Sequence, residues 1–310
     1  MAHDHEHHHD HHHGHSHQAP DNNAAFAIGV ALNLGFVVAE VVYGLSAHSL
    51  ALLSDAGHNM SDVFGLLIAW GAIHIGKSLP TKRHTYGLRR ASILAALTNA
   101  IVLLIVVGGI TVEALQRLFH PEAVAGNTVI WVAAVGVVIN TITALLFMAG
   151  SHDDINIRGA FLHMAADAAV SLGVVAVGIG IRFTGWLWLD PAISLLIGGV
   201  IVWGTWGLLK ESGNLALDAV PEGIDPHAVE VYLSGLPGVQ EVHDLHIWGM
   251  STTESALTAH LVMPQPPAHD RFLHDVGHEL HERFGIGHVT VQIEHGDEDV
   301  VCHQAAAHAV

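Results

Sequence analysis

Charged residues and cysteine are scarce in this sequence, and each shortage excludes a class of protein. Only 13% of the 310 residues are Asp, Glu, Lys or Arg, about half the fraction usual in soluble domains. The 11 Lys and Arg residues against 29 Asp and Glu residues give a formal net charge of −18, which leaves no basic surface for nucleic acid. The single cysteine, Cys302, excludes a disulfide framework and a metal site built from several thiolates. Residues 1–23 are hydrophilic, so we expect no cleavable secretion signal.

Apolar residues and histidine are abundant instead. Hydrophobic residues make up 51% of the chain, and 29 residues are histidine, ten of them within the first seventeen positions. Six stretches reach the roughly 20 mostly apolar residues that a helix needs to cross a bilayer. They lie at about 24–46, 50–76, 91–115, 127–149, 157–182 and 188–209. The sequence therefore predicts an α-helical integral membrane protein with six transmembrane helices in a lipid bilayer.

The loop after the second predicted span is the most basic part of the chain and indicates its orientation. It contains Lys77, Lys82, Arg83, Arg89 and Arg90, and loops rich in Lys and Arg stay in the cytoplasm. An even number of spans then places both termini on the same side. We expect a multi-pass protein of the cell (inner or plasma) membrane with both termini cytoplasmic.

After residue 210 the pattern changes to that of a small soluble domain. Helices are predicted at 225–235 and 268–284, and strands at 239–248, 255–263 and 288–294. The α-β-β-α-β order predicts a ferredoxin-like α+β fold with both helices on one face of a small sheet. We therefore divide the chain into a disordered His-rich tail (1–23), a membrane domain (24–210), a cytosolic domain (211–297) and a flexible tail (298–310).

Two of the predicted membrane helices contain the same pair of polar residues. His58 and Asp62 are four positions apart in the second span, and His163 and Asp167 are four positions apart in the fifth. Residues at this spacing share one face of a helix. A carboxylate inside a bilayer costs roughly 2.5–3.5 kcal/mol even on a lenient scale. Each aspartate therefore needs a compensating partner.

Together the two pairs match the preferences of a zinc ion. Two imidazoles and two carboxylates can form a tetrahedral site, and two aspartates neutralise a divalent cation. Softer ions favour thiolates, and Mg²⁺ or Ca²⁺ favour all-oxygen ligands. The alternative is an interhelical hydrogen-bond network that only holds the bundle together. Asp55, three positions before His58, is a candidate for supporting the ligands or receiving the ion, against plain helix–helix hydrogen bonding.

These motifs resemble the cation diffusion facilitator family of zinc transporters, which includes bacterial cobalt-zinc-cadmium resistance proteins. The likeness rests on residues 50–62, on the pair in the fifth span, on Trp188-Leu189-Asp190-Pro191 and on the C-terminal domain. It implies a homodimer that exports Zn²⁺ from the cytosol in exchange for protons, and a preference for zinc over manganese or iron. The implied transport site consists of His58, Asp62, His163 and Asp167.

The resemblance also extends to the cytosolic domain, where it implies metal sensing and dimerisation. The implied ligands of a regulatory zinc ion are His243, His260, His274, His295 and Asp297. For the histidines of the last helix, a solvated polar face is the simpler alternative. His243 and His246 are an odd number of positions apart, so a regular strand would point them to opposite faces.

The family further pairs a basic residue after the second span with an acid after the sixth span, and this pair locks the dimer. Arg90 and Asp218 are the matching residues here. The N-terminal histidines, interleaved with acids, predict a flexible chelator, with an expression tag or a dispensable tail as alternatives. Zn²⁺ is thus expected both as substrate and as regulatory ligand, with Cd²⁺ and Co²⁺ as further candidate substrates.

Two other classes of function compete with a transporter. A membrane metalloenzyme would use the two pairs to hold a catalytic metal, but the sequence has no His-Glu-x-x-His motif with its general base. A membrane-anchored zinc sensor would not need aspartates inside its anchor. We therefore predict a transporter and not an enzyme.

Overall fold

The computed structural model describes residues 23–76, 80–148, 155–267, 269–296 and 302–304. Within the helices, it describes no side chains for residues 23–30, 66, 69–70, 72–76, 146–148 and 155–163. Apart from Asn23 and residues 302–304, the two predicted tails lie outside the described residues.

Six long helices form the N-terminal two thirds of the chain. They are α1 (Asn23–Ser46), α2 (Leu50–Gly76), α3 (Ala91–Phe119), α4 (Gly126–Met148), α5 (Ile155–Thr184) and α6 (Leu189–Ala216). Within the described residues, α3 to α6 each contain a stretch long and apolar enough to cross a membrane, and 31–46 of α1 is a shorter apolar stretch. The predicted six-helix membrane fold is confirmed. Helices α3 and α6 continue four and seven residues beyond their predicted ends at 115 and 209.

Small residues let these helices approach one another closely. A Cβ atom on Gly178 of α5 would lie 2.9 Å from Ile130 Cγ1 of α4, and one on Gly126 would lie 3.0 Å from the Gly178 carbonyl oxygen. Such contacts between small residues are typical of helix packing in membranes. The resulting core combines side chains from α2 to α6 and the α1–α2 connection: Ala47, Ala51, Leu52, Leu103, Val107, Val129, Ala133, Val174, Ile197 and Ile201.

The C-terminal domain has the predicted α-β-β-α-β order. Its elements are α7 (Pro226–Ser234), β1 (Glu241–Gly249), β2 (Ser255–Val262), α8 (Arg271–Phe284) and β3 (His288–Glu294). Strands β1 and β2 are antiparallel, and β3 returns through α8 to pair parallel with β2. Leu257, Ala259 and Leu261 of β2 point into the core that includes α7 and α8. Because strand side chains alternate, the residues between them lie on the other face of the sheet.

Strand β1 contains a β-bulge that the sequence pattern does not predict. His243 pairs with His260, but His246 pairs with Thr258, so β1 uses one residue more than β2 between these pairs. Asp244, inside the bulge, has a φ of +49°, a conformation that short polar side chains tolerate better than most. Since His260 and Thr258 share a face, so do their partners. The expectation that His243 and His246 point to opposite faces is wrong, because it assumed a regular strand.

Candidate metal sites

The N-terminus of α2 is fixed by a residue from a distant helix. Asp190, fully buried in the first turn of α6, accepts hydrogen bonds from Leu50 N at 2.7 Å and Ala51 N at 3.4 Å. It also accepts one from Ser49 Oγ at 2.5 Å, and that same hydroxyl oxygen accepts from Leu52 N at 3.3 Å. The free N–H groups that begin every helix thus have partners here. This contact sets the position of α2 and of the polar residues further along it.

A cluster of His58, Asp62 and Asp167 joins α2 to α5. His58 Nε2 lies 3.0 Å from Asp167 Oδ1 and 3.9 Å from Asp62 Oδ2. One ligand atom from each residue lies within 4.8 Å of the others. The Asp167 side chain is only 3% exposed, whereas those of His58 and Asp62 are about one quarter exposed. The three side chains therefore form a compact, partly accessible group of ligand atoms.

The surroundings of this cluster are apolar on one side and polar on the other. His58 borders a cavity of about 310 Å³ whose other lining residues are apolar side chains and a glycine of α5 and α6. On the polar side, Ser171 Oγ donates to Asp55 Oδ2 at 3.1 Å, and Asn59 Nδ2 donates to Glu40 Oε2 at 2.9 Å. Asp55 lies outside the group of three, and a supporting role for it stays a prediction.

The fourth predicted ligand of the membrane site, His163, lies on α5 one turn before Asp167. Its side chain lies outside the described residues. On an α-helix, residues four apart lie on the same face. The backbone therefore places His163 at a position suited to extend the cluster, and its role as a ligand stays a prediction.

A second cluster lies on the sheet face opposite α7 and α8. It contains His243 of β1, His260 of β2, Glu294 of β3 and Cys302, and their ligand atoms all lie within 4.8 Å of one another. His260 Nδ1 is 3.0 Å from Glu294 Oε1 and 3.6 Å from Cys302 Sγ. The two imidazole rings meet edge to face with centroids 5.2 Å apart. This group brings nitrogen, oxygen and sulfur donors together.

The ionisable groups of this cluster influence one another. Burial raises the pKa of the Glu294 carboxyl, but hydrogen bonds from Cys302 and Gln292 and the nearby imidazoles outweigh it and hold the pKa below its usual value. A backbone hydrogen bond at Gln304 lowers the pKa of the Cys302 thiol. Desolvation and the carboxylates of Glu294 and Asp244 outweigh it, and the net pKa is raised. The Glu294 carboxyl therefore loses its proton more readily than the Cys302 thiol does.

Of the five cytosolic ligands that the resemblance implies, only some belong to this cluster. His243 and His260 belong to it. His274 lies on α8 with 81% of its side chain exposed, 3.4 Å from Asp275, and His295 is exposed just after β3. Neither belongs to the group formed by the described residues, and Asp297 lies outside them. The full predicted set therefore stays a prediction.

Sequence reasoning missed Glu294 and Cys302 as possible ligands. Glu294 is the last residue of β3 and reads as an ordinary strand end. In the sequence, Cys302 is evidence only against a site built from several thiolates. The sequence offers one signal for this ligand, a single thiol a few residues after a strand that contains histidine. Only the folded chain places Cys302 beside His260.

Charged contacts connect the cytosolic domain to the start of α3. Arg90 Nη2 forms an ion pair with Asp218 Oδ1 just after α6, and a role of this pair in locking a dimer stays a prediction. Arg89 Nη1 lies 2.7 Å from Glu254 Oε2 in the β1–β2 connection. Thr252 N also donates to Ser92 Oγ at 3.2 Å. Together these contacts form a polar junction between the two domains.

Comparisons with known proteins cover most of the chain. A family model described as the cation efflux transmembrane domain matches residues 26–215, and one described as the cation efflux protein cytoplasmic domain matches residues 221–296. The chain is 40% identical over 274 residues to the metal cation efflux system protein CzcD of Cupriavidus metallidurans, covering 88% of this chain and 87% of that protein.

Two further relatives have similar coverage. The cadmium, cobalt and zinc/H⁺-K⁺ antiporter of Bacillus subtilis is 33% identical over 278 residues, with 88% of this chain and 89% of that protein covered. The zinc transporter ZitB of Escherichia coli is 35% identical over 280 residues, with 89% and 88% covered.

Proposed function

The chain belongs to the cation efflux family, and we propose that it exports Zn²⁺ from the cytosol in exchange for protons. It is a multi-pass membrane protein and a metal cation efflux transporter, not an enzyme. The choice of zinc, the coupling to protons and the transport-site residues are the parts that we propose. Each rests on a separate observation.

The proposal rests mainly on the His58 imidazole, which lies between two carboxylates. Its Nε2 atom lies 3.0 Å from Asp167 on α5 and 3.9 Å from Asp62 on its own helix. A nitrogen with two oxygens supplies three of the four ligands that tetrahedral zinc takes. We assign the fourth position to His163. Because the ligands come from two helices, a small relative movement of α2 and α5 can open the site to either side.

Zinc and proton chemistry fit the same four side chains. A metal binds imidazole in its neutral form, so the ion must displace any proton held there. Histidine gains and loses protons near physiological pH. His58 and His163 can therefore release protons as Zn²⁺ binds and take them up as it leaves. Such alternation is what an exchange of metal against protons requires.

The relatives agree with a divalent substrate and add candidates. One is named for zinc alone, and another for cadmium, cobalt and zinc with H⁺ and K⁺. We propose Zn²⁺ as the main substrate, with Cd²⁺ and Co²⁺ as further substrates. No thiolate lies among the described residues of the membrane cluster, and this favours zinc over softer ions.

We further propose a homodimer in the bacterial inner membrane with both termini in the cytoplasm. Lys and Arg in the loop of residues 77–90 support this orientation. We also propose the boundary between the membrane and cytosolic domains at residues 210 and 211; the family models, which match residues 26–215 and 221–296, support a membrane part followed by a cytoplasmic part. In this arrangement the C-terminal domain monitors cytosolic metal.

Charge reversal tests the junction between the domains. Arg90→Asp and Asp218→Arg should each lower zinc flux severalfold, because each places two like charges together, and the double variant should recover most of the flux. Both side chains are about half exposed, so we expect less than about 1 kcal/mol from the pair itself. The measurement is flux together with the dimer fraction by cross-linking. Arg271→Asp, at an exposed pair within α8, is the matched control; equal loss there would argue against a special junction.

Zinc flux into proteoliposomes separates the three classes of function in one experiment. Purified protein should carry Zn²⁺ across the vesicle membrane faster than protein-free vesicles allow. Hydrolysis of a substrate without flux would support the enzyme, and metal binding with neither would support the sensor. Either result would overturn the transporter.

A further inference from the structure

The cytosolic cluster lies where a sheet face should be open to water. Helices α7 and α8 cover the other face, yet the side chains of His243 and His260 are only 8% and 9% exposed. Cys302 lies on this face, with its sulfur 3.6 Å from His260 Nδ1. The residue beyond the last strand therefore helps to shield two imidazoles from solvent.

His243 has a buried ring without the hydrogen bonds that such a group needs. Among the described residues, neither Nδ1 nor Nε2 finds a hydrogen-bond partner, although Nε2 lies 3.4 Å from Glu294 Oε2. Leaving a buried polar group unsatisfied destabilises the fold. Native proteins rarely keep such groups without a reason, and coordination of a metal is one such reason.

The donor set matches a metal that accepts sulfur. One Cys, two His and one Glu, with ligand atoms within 4.8 Å of one another, provide four ligands of the kinds found in zinc sites. A thiolate also raises the preference for soft cations such as Cd²⁺ relative to hard ones such as Mg²⁺. The membrane cluster has no sulfur donor among its described residues, so the two sites differ in chemistry.

We propose that Cys302 is a ligand of the cytosolic site, together with His243, His260 and Glu294, and that the site takes Zn²⁺ or Cd²⁺ as a soft-metal sensor. The thiol loses its proton to solvent when the metal–sulfur bond forms. Metal binding would then join Cys302 to side chains from all three strands of the sheet. The inference rests on the proposed function of the cytosolic domain, and it replaces the exposed His274 with a sulfur ligand.

The start of the segment that leads to Cys302 has a geometric requirement. Gly296 has a φ of +72°, and a Cβ atom there would lie 2.9 Å from Val262 Cγ1. Only glycine adopts this conformation readily and also fits this gap. Strand β3 is therefore followed, two residues after Glu294, by a position that only glycine fills readily.

The single cysteine makes a direct experiment possible on the full-length protein. Alkylation of Cys302 by iodoacetamide, followed by intact mass, reports on this thiol alone. Saturating Cd²⁺ should slow the reaction at least tenfold. The protection should disappear in His243→Gln and His260→Gln, persist in the matched control His274→Gln, and persist in Asp167→Ala, in which the membrane cluster is disabled. Unchanged alkylation with Cd²⁺, or protection that survives in the His243→Gln/His260→Gln double variant, overturns the proposal.

A spectroscopic measurement does not depend on how the histidine variants fold. Wild-type protein with Cd²⁺ should show thiolate-to-metal charge-transfer absorption in the ultraviolet, and Cys302→Ser should lose it. An identical spectrum in both would contradict ligation by sulfur. Zinc flux of the same wild-type preparation is measured in parallel. Flux without thiol protection refutes only the sulfur ligand, whereas protection without flux refutes only the transporter.

Discussion

Replacing Asp167 with alanine will abolish zinc transport, with a fall in rate of at least about 100-fold. Removing even an indirect partner of a metal ligand typically costs 10–100-fold in affinity or activity, and we propose Asp167 as a direct ligand. Its carboxylate is 97% buried beside His58 Nε2 and, in the proposed site, would supply half of the negative charge that neutralises the ion. Asp167→Asn keeps the shape and removes the charge, so it should fail as well. The measurement is initial Zn²⁺ uptake by proteoliposomes.

A matched control lies one turn further along the same helix. Ser171 is fully buried and donates to Asp55, but it does not belong to the cluster. Ser171→Ala should keep the rate within about tenfold of wild type. If Asp167→Ala transported zinc at the wild-type rate, the assignment of the transport site would be wrong. If both variants failed equally, α5 packing rather than metal ligation would explain the loss.

Replacing Asp190 with alanine will destabilise the membrane domain by about 2–4 kcal/mol and slow transport. The change leaves Leu50 N, Ala51 N and the Ser49 hydroxyl without their buried acceptor. Each unsatisfied group costs about 1–3 kcal/mol, and partial rearrangement recovers some of the loss. Transport should fall because α2, which carries His58 and Asp62, loses the contact that fixes its start. Denaturant unfolding of the purified protein measures the first effect, and flux measures the second.

The control for this variant is an ordinary helix cap of the same residue type. Asp225 accepts from His227 N at 3.0 Å at the exposed start of α7. Asp225→Ala should cost about 1 kcal/mol, the usual value for an N-cap, and leave flux unchanged. An Asp190→Ala variant no less stable than Asp225→Ala would contradict the role of Asp190 in holding α2 to α6.

The membrane architecture was predictable because its signal is local. Runs of apolar residues identify spans without knowledge of their neighbours, and α1 and α2 end where the runs end. The spacing of His58 and Asp62 likewise needs only helix geometry. Helices α3 and α6 extend beyond their apolar runs because polar residues such as Arg117 and Glu211 continue the helices. Hydropathy detects the bilayer-spanning part of a helix, not its end.

Features that depend on distant contacts were not predictable. Asp190 reads as the start of a helix, yet its partners on α2 are about 140 positions away. The bulge at Asp244 shifts the alternation of side chains between the two faces of β1, and predictions for strands depend on that alternation. Cys302 reaches His260 from 42 positions away. In each case a side chain meets its partner only through the tertiary fold, which periodicity does not encode.

Zn²⁺ flux into proteoliposomes under an imposed pH gradient tests the exchange of metal against protons. With the lumen more acidic than the outside, protons leaving the vesicle should drive Zn²⁺ inward above its external concentration, and reversing the gradient should reverse the net flux. Asp167→Ala vesicles should show neither response. A steady zinc flux that ignores the direction of the gradient would contradict metal/proton exchange.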